Sequence, residues 1–370
     1  MISKLRLVSF RAFDEAELEF DEDFNLISGE NGVGKTSLLE AVVHLGYGSS
    51  PWSGKTVDVI RSGSDFAIIH GAGEDRNQDV RIRISRGVKK EVYLREKRIP
   101  RMSELLGVFP TTAIGPQEIE LVKGSPQIRR RMLDTSLCQK DPIYTEELAR
   151  FKKLLADRNS ALKGVRSGEM TGGHILIDSI DETLAPSAAV IMEKRALFVR
   201  TLFEKSAGIY SEMTDKKGGK LEMEYRPTVE IANKGVGEIE KDYYNRLAAR
   251  RKRDLDSGET VLGPHRDDIF IMKDGEEMAR FGSWGQARAA SLAVLLASTE
   301  IINIDTKAKA TLLLDDCFAE LDPENTRRFI DISVRYGQVL LASPREIAPP
   351  TGKNGAVFKF SAVGMIWRER

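Results

Sequence analysis

Residues Gly29-Glu30-Asn31-Gly32-Val33-Gly34-Lys35-Thr36 match the pattern GxxxxGKT at every fixed position. No other stretch constrains the fold as tightly, because the pattern has meaning only where a strand ends and a helix begins. Both flanks comply. Phe24 to Ile27 is an apolar run, and Ser37 to His44 has helical character. Three glycines let the backbone wrap until its N–H groups converge on phosphate oxygens. The helix start adds positive partial charge at the same point. Lys35 is placed to reach the β- and γ-phosphates of a nucleotide, and Thr36 to offer its hydroxyl to Mg²⁺. Glu30, Asn31, Val33 and Ser37 complete the cradle.

Such a loop needs an acidic partner on a second strand. Ala310 to Leu314 is an unbroken apolar run ending in Asp315-Asp316. It reads as a buried parallel strand that delivers Asp315 to Mg²⁺ through water. Asp316, one residue on, is suited to orient or deprotonate an attacking water. Thr36 and Asp315 lie 279 residues apart. Most P-loop NTPases hold these halves much closer, so the interval decides the architecture.

In that interval, and before it, the pattern changes several times. Residues 1 to 27 alternate apolar and polar, which predicts a hairpin and the strand before the loop. Arg11 sits at the hairpin turn, either as a solvated charge or as a base or ribose contact beside the nucleotide loop. Residues 80 to 99 alternate cleanly and predict antiparallel strands with one wet, basic face. That face reads as solvated, with a phosphate-tracking surface as the alternative. Ser125 and Pro126 start a helix. Its first turns hold Arg129, Arg130 and Arg131, which oppose the helix dipole and call for an anion or a carboxylate. Residues 144 to 213 predict an antiparallel helical hairpin broken at Gly164 to Gly173. A later helix, Glu238 to Leu255, puts Arg246, Arg250 and Arg253 on one face. Beside Arg129 to Arg131 these form either a solvated face or a DNA-backbone strip. Ser283 precedes an Ala- and Leu-rich helix, whose start is a second anion site.

The bulk numbers exclude several classes. With 41% hydrophobic and 30% charged residues, the 370-residue chain reads as soluble and globular. Its 56 basic and 56 acidic residues cancel, so positive charge does not coat the whole surface. Two distant cysteines and four scattered histidines give neither a disulfide framework nor a zinc pattern. No apolar run of ~20 residues suggests a bilayer span. The opening residues enter a strand without a leader-like block, so a cytoplasmic location is expected.

A head split by a large insertion, with a Ser-x-Gly-Gln turn just before the acidic strand, resembles the ABC-type ATPases of the SMC class. The segment Glu120 to Pro126 with Arg129 to Arg131 and Leu133-Asp134, the run Gly263-Pro264-His265-Arg266-Asp267-Asp268, and Leu312 to Asp322 make it similar to the RecF family in particular. The resemblance covers nearly the whole chain. It implies an α/β fold: a P-loop ABC-type ATPase head with a mixed sheet, interrupted by a compact, mainly helical lobe. The expected segments are 1–140, 141–256 and 257–370. It also implies a weak DNA-dependent ATPase that dimerises on ATP. Ser283, Gly285 and Gln286 would then contact the partner's γ-phosphate, Gln117 would sit at the lobe-coupling loop, and Asp322 at the dimer seam. Implied partners are duplex and gapped DNA and a RecR-like mediator, with RecO and RecA. Trp284 stands where the family usually carries a polar residue, and Ser343 where ABC transporters carry a switch histidine. An SMC-like ATPase acting with a nuclease is the alternative, although it calls for a much longer coiled coil. A nucleotide kinase or GTPase lacks its lid arginines and its Asn-Lys-x-Asp here.

Overall fold

Two units divide the chain. The first comprises Met1–Ile119, Gly208–Gly218 and Trp284–Arg370, the second Glu120–Ala207 and Gly219–Ser283. The computed structural model describes all residues except 51, 53, 216–217, 306–308, 318–322 and 370.

The chain opens with β1 (Lys4–Phe10), β2 (Phe13–Glu19), β3 (Phe24–Ser28) and α1 (Lys35–Tyr47). Then come β4 (Phe66–Ala72), β5 (Asp79–Ser85), β6 (Glu91–Leu94), β7 (Lys97–Arg98) and β8 (Thr111–Ile114). The lobe contributes α2 (Glu120–Lys123), α3 (Pro126–Lys140), α4 (Pro142–Ser167), α5 (Gly173–Met213), β9 (Leu221–Arg226), α6 (Val236–Ser257), β10 (Asp268–Lys273), β11 (Glu276–Glu277) and α7 (Met278–Phe281). The chain closes with α8 (Trp284–Asp305), β12 (Thr311–Asp315), α9 (Pro323–Tyr336), β13 (Gln338–Ser343), β14 (Gly355–Ala362) and β15 (Met365–Arg368).

In the first unit one sheet runs β15-β14-β3-β13-β12-β8, and all its pairings are parallel except the β15 edge. Every residue of β3, β12 and β13 is buried, as expected for strands covered on both faces. The other sheet is antiparallel, β2-β1-β4-β5-β6-β7. Helix α1 lies between them. Leu38, Leu39, Val42 and Leu45 share one core with Leu5, Leu7, Ile69 and Ile82 of the antiparallel sheet and with Leu313, Leu340 and Phe358 of the parallel one. Burying both sides of α1 fixes where the loop before it sits. Gly34 leads into the helix at φ +119, and Gly48 ends it at φ +71 with its N–H on the His44 carbonyl.

In the second unit, Asp141 caps α4 by accepting from the Tyr144 N–H, and Pro142 takes the first helical position. Gly168 stops that helix at φ +76. The expected hairpin of α4 and α5 is present, with a three-stranded sheet, β11-β10-β9.

Two expectations need correcting. The lobe does not begin at 141 and end at 256. It begins at Glu120, so that it takes in α2 and α3, and it runs to Ser283 apart from Gly208–Gly218. Helical periodicity marks the hairpin, but ion pairs from α3 and strand pairing of β10 with β9 draw the flanks into the same unit. The reading that no apolar run reaches bilayer length also misses α8. Trp284–Ile304 is long and apolar enough by length and composition, and 67% of its most apolar window is buried inside the fold. Gln286, Arg288 and Ser291 interrupt the run without much lowering its mean hydropathy. It is a core helix, with Thr299 donating to Thr112 of β8 at 2.8 Å.

Candidate nucleotide site

Four chemical features leave the same edge of the parallel sheet. The phosphate loop follows β3, Gln117 follows β8, Asp315-Asp316 end β12, and Ser343 ends β13. Register makes these strand ends neighbours: Ser28 faces Ser343, Asp315 faces Ala342, and Leu314 faces Ile114. Ligands of open parallel sheets bind at this carboxyl edge.

The loop has the backbone its glycines permit. Gly32 and Gly34 have φ of +86° and +119°, where a side chain is strained. A Cβ on Gly29 would meet Phe360 Cβ at 3.0 Å. The Lys35 ammonium folds back over the loop and donates to the Gly29 and Glu30 carbonyls, both at 2.7 Å. Burial lowers its pKa, and the nearby Asp316 and Asp315 charges oppose that shift.

The two halves of the motif meet directly. Thr36 Oγ1 lies 3.0 and 2.9 Å from the two Asp315 carboxylate oxygens. Burial raises the Asp315 pKa, and the Thr36 hydrogen bond works against that rise. A hydroxyl and a carboxylate side by side fit Mg²⁺, which takes few protein ligands and keeps its waters. Asp316 is exposed and adopts φ +45°, with its N–H on the Ala342 carbonyl at 3.1 Å. A non-glycine residue in the left-handed region at this edge is local strain of the kind found at working sites.

The remaining expected residues are placed as follows. Gln117 is exposed at the end of β8. Ser343 is buried, and its Oγ accepts from the Arg345 N–H at 3.0 Å. Arg11, at φ +52°, sits on the Glu40 carboxylate of α1 at 2.9 Å and donates to the Asp58 carbonyl at 3.0 Å. Each of its three guanidinium nitrogens donates to one of these partners. Ser283 and Gly285 are exposed at the start of α8, Gln286 is half-buried, and Trp284 is 68% exposed. Asp322 lies outside the described residues.

A family model described as the RecF/RecN/SMC N-terminal domain matches residues 1–346. The "DNA replication and repair protein RecF" of Geobacillus thermodenitrificans is 33% identical over 89% of this chain and 89% of its own length. That of Bacillus cereus is 34% identical over 87% and 86%. The chain belongs to the RecF family. Among solved structures, the "recombination mediator protein RecF-ATP in RecFOR pathway" superposes with a TM-score of 0.88 at 27% identity, covering 100% of this chain and 97% of that one. An Smc head bound to the C-winged helix domain of ScpA gives 0.57 at 17% identity, covering 100% and 96%, a likeness of fold.

Within this RecF-type fold, the run Gly263 to Asp268 proves structural. Gly263 has φ +130°, and a Cβ there would lie 2.4 Å from Tyr243 Oη. Asp267 is fully buried and accepts from the Tyr225 hydroxyl and from the Thr228 N–H at 2.7 Å. Asp268 takes Arg129 in a two-pronged pair at 2.7 and 2.9 Å. Arg195 donates to the Pro264 carbonyl and to Asp134. This corrects the reading of Arg129 as a phosphate contact. The side chain is buried, and Asp268 is the carboxylate that its unfavourable helix-dipole position called for. Arg130 is half-buried and donates to the Asp267 carbonyl at 2.6 Å, so only Arg131 of the three is exposed. In α6, Arg246 pairs with Asp242 at 3.0 Å, while Arg250 and Arg253 are exposed.

Sequence reasoning missed three supports. Lys123 donates to the Ala279 and Gly282 carbonyls at 3.1 and 2.6 Å, fastening the end of α7 just before Ser283. Arg288 in α8 pairs with the buried Glu118 beside Gln117 at 2.8 Å. Gly364, in the β14–β15 turn, donates to the Val33 carbonyl of the phosphate loop at 3.0 Å. The partners are far apart in sequence, and no local pattern announces them.

Proposed function

We propose that the chain is an ATP-gated DNA clamp of recombinational repair. Mg²⁺–ATP binds along the carboxyl edge of the parallel sheet. The loop N–H groups, Lys35 and Ser37 hold its phosphates, and Thr36 and Asp315 hold the metal. When bound, the nucleotide supplies a hydrolysable phosphoanhydride. Asp316 orients the attacking water and accepts its proton, with Gln117 assisting. The turn Ser283-Trp284-Gly285-Gln286 completes the same site on a second copy, so ATP closes a homodimer on duplex or gapped DNA and hydrolysis releases it. Activity as an ATPase is weak and stimulated by DNA. The partners are a RecR-like mediator, RecO and RecA, in the cytoplasm. Arg131, Arg250 and Arg253 remain candidate phosphate contacts.

The observation that carries this reading is the meeting of Thr36 with Asp315 inside a RecF-type fold. The test is binding of duplex and gapped DNA with ATP, with ADP and without nucleotide. Tight binding with ATP alone supports the clamp, and equal binding in all three states defeats it. The lobe helices, of which α5 is the longest at 41 residues, are too short for the long coiled coil of a nuclease-linked SMC-type ATPase. A pull-down that captured a nuclease instead of a RecR-like protein would favour that alternative.

A further inference from the structure

The solvent face of the antiparallel sheet has no part in the nucleotide site. On it, hydrogen-bonded register aligns Arg6, His70, Arg81, Tyr93 and Arg98 in one row across five strands. With strands ~4.8 Å apart, the row is about 19 Å long. Along β5, Val80, Ile82 and Ile84 point into the core, whereas Arg81 and Arg83 are exposed. The inward residues anchor the strand, and the outward arginines ride on it.

These two arginines differ from their neighbours in how they are held. Arg81 Cζ lies 4.7 Å from the Tyr93 ring centroid, and Arg83 Cζ lies 5.0 Å from that of Phe66. Neither has an ion pair with a described residue. Stacking restrains a guanidinium without using its N–H donors, so both keep their hydrogen-bonding forks for an outside anion. By contrast, Arg6 pairs with Glu15, His70 with Asp79 and Arg98 with Glu91, at 2.8, 3.2 and 3.5 Å. Such exposed pairs are weak and exchangeable. The face is also polarised. The β2 edge presents Glu15, Glu17 and Glu19, and the opposite half presents Arg81, Arg83 and Arg98, its carboxylates Asp79 and Glu91 being those already paired with His70 and Arg98. Two residues along a strand separate Arg81 and Arg83 by about 7 Å, within reach of successive phosphates on one nucleic-acid strand.

We propose that the β5–β7 half of this face binds the DNA phosphate backbone, with Arg81 and Arg83 as phosphate ligands held by Tyr93 and Phe66. The inference rests on the DNA-binding reading above. It places the contact on the sheet, where the charge is free, and away from Arg129, where it is neutralised.

The test is fluorescence anisotropy of labelled duplex DNA with the full chain and ATP over a salt series. The variants are Arg81→Glu/Arg83→Glu and Arg81→Lys/Arg83→Lys, with ATP-driven self-association and melting measured in parallel. Charge reversal is expected to reduce the slope of log affinity against log salt by about 1.8, at ~0.9 per phosphate contact. The lysine pair should keep the slope and bind several-fold more weakly, because ammonium groups lose the stacked fork. A wild-type slope in the reversed variant overturns the inference and leaves the clamp standing. Absence of DNA binding by the wild type defeats the clamp itself, and this inference with it. If reversal abolishes self-association but spares the DNA slope, the face joins copies of the chain and the proposal falls. Should the reversed variant fail to fold, single Arg83→Gln provides the same test with half the slope change.

Discussion

The carboxyl edge of the parallel sheet and the clasp around Gly263 to Asp268 are both dense in charge, yet their charges are used in opposite ways. In the clasp, Asp267, Asp268, Arg129 and Arg195 are paired with one another or with backbone, and all but Asp268 are below 9% exposed. At the edge, Asp316 is exposed on a left-handed backbone, Lys35 donates to loop carbonyls, and Asp315 is held at raised pKa by burial. Fully satisfied charge holds a fold together. Charge left strained or half-satisfied has work still to do.

The sharpest way to break this contrast is to remove one member of each. Asp316→Asn should cut ATP turnover by about 10²–10⁴-fold, the usual range for a positioned base, and leave the melting temperature almost unchanged. Arg195→Met should do the reverse, destabilising by about 3–5 kcal/mol because Asp134 and Asp267 lose their buried cation. Denaturant titration alongside a phosphate-release assay reads both. Loss of stability without loss of turnover in Asp316→Asn would erase the distinction.

Acid should act on two buried histidines that lie outside the nucleotide edge. Burial pushes His44 and His265 down to about 4. Folded, they stay neutral, while the unfolded chain protonates them near the ordinary value of 6.5. Their contribution is therefore intact above pH 6.5 and lost as pH falls towards 4, roughly 3 kcal/mol each at the limit. His44→Gln or His265→Gln should flatten that part of the stability–pH curve. An unchanged curve would mean that the decline comes from carboxylates.

Two arginines of one helix should separate by stability. Arg129→Ala should cost about 3–5 kcal/mol by stranding Asp268. Arg131→Ala, two positions on, should cost less than ~0.5 kcal/mol and register only in the salt dependence of DNA binding. If both variants melt alike, Arg129 is not the strut that its geometry indicates.

Much of this was legible in the sequence. The phosphate loop, the buried β12 and its two aspartates are local patterns, because an unbroken apolar run ending in acid has few other uses. The dipole mismatch at Arg129 to Arg131 called for an anion or a carboxylate, and for Arg129 the structure supplies a carboxylate. The mismatch could not name Asp268, 139 residues away. The lobe boundary was missed for the same reason, since periodicity marks where helices run and long-range ion pairs decide which unit they join. Lys123 behind the Ser283 turn and Gly364 against the phosphate loop belong to this class as well. The row across the antiparallel sheet was half legible: alternation marked the wet face, and only register brought Arg81 beside Tyr93.

The proposed clamp requires a site completed by a second copy. Lys35→Ala removes the loop's ammonium, and Ser283→Arg blocks the turn. Each variant alone should stay monomeric by light scattering with Mg²⁺–ATP. A one-to-one mixture should form dimers, because one intact site is rebuilt from the good loop of one chain and the good turn of the other. Dimers in either variant alone, or a mixture that remains monomeric while the wild type dimerises, would contradict it.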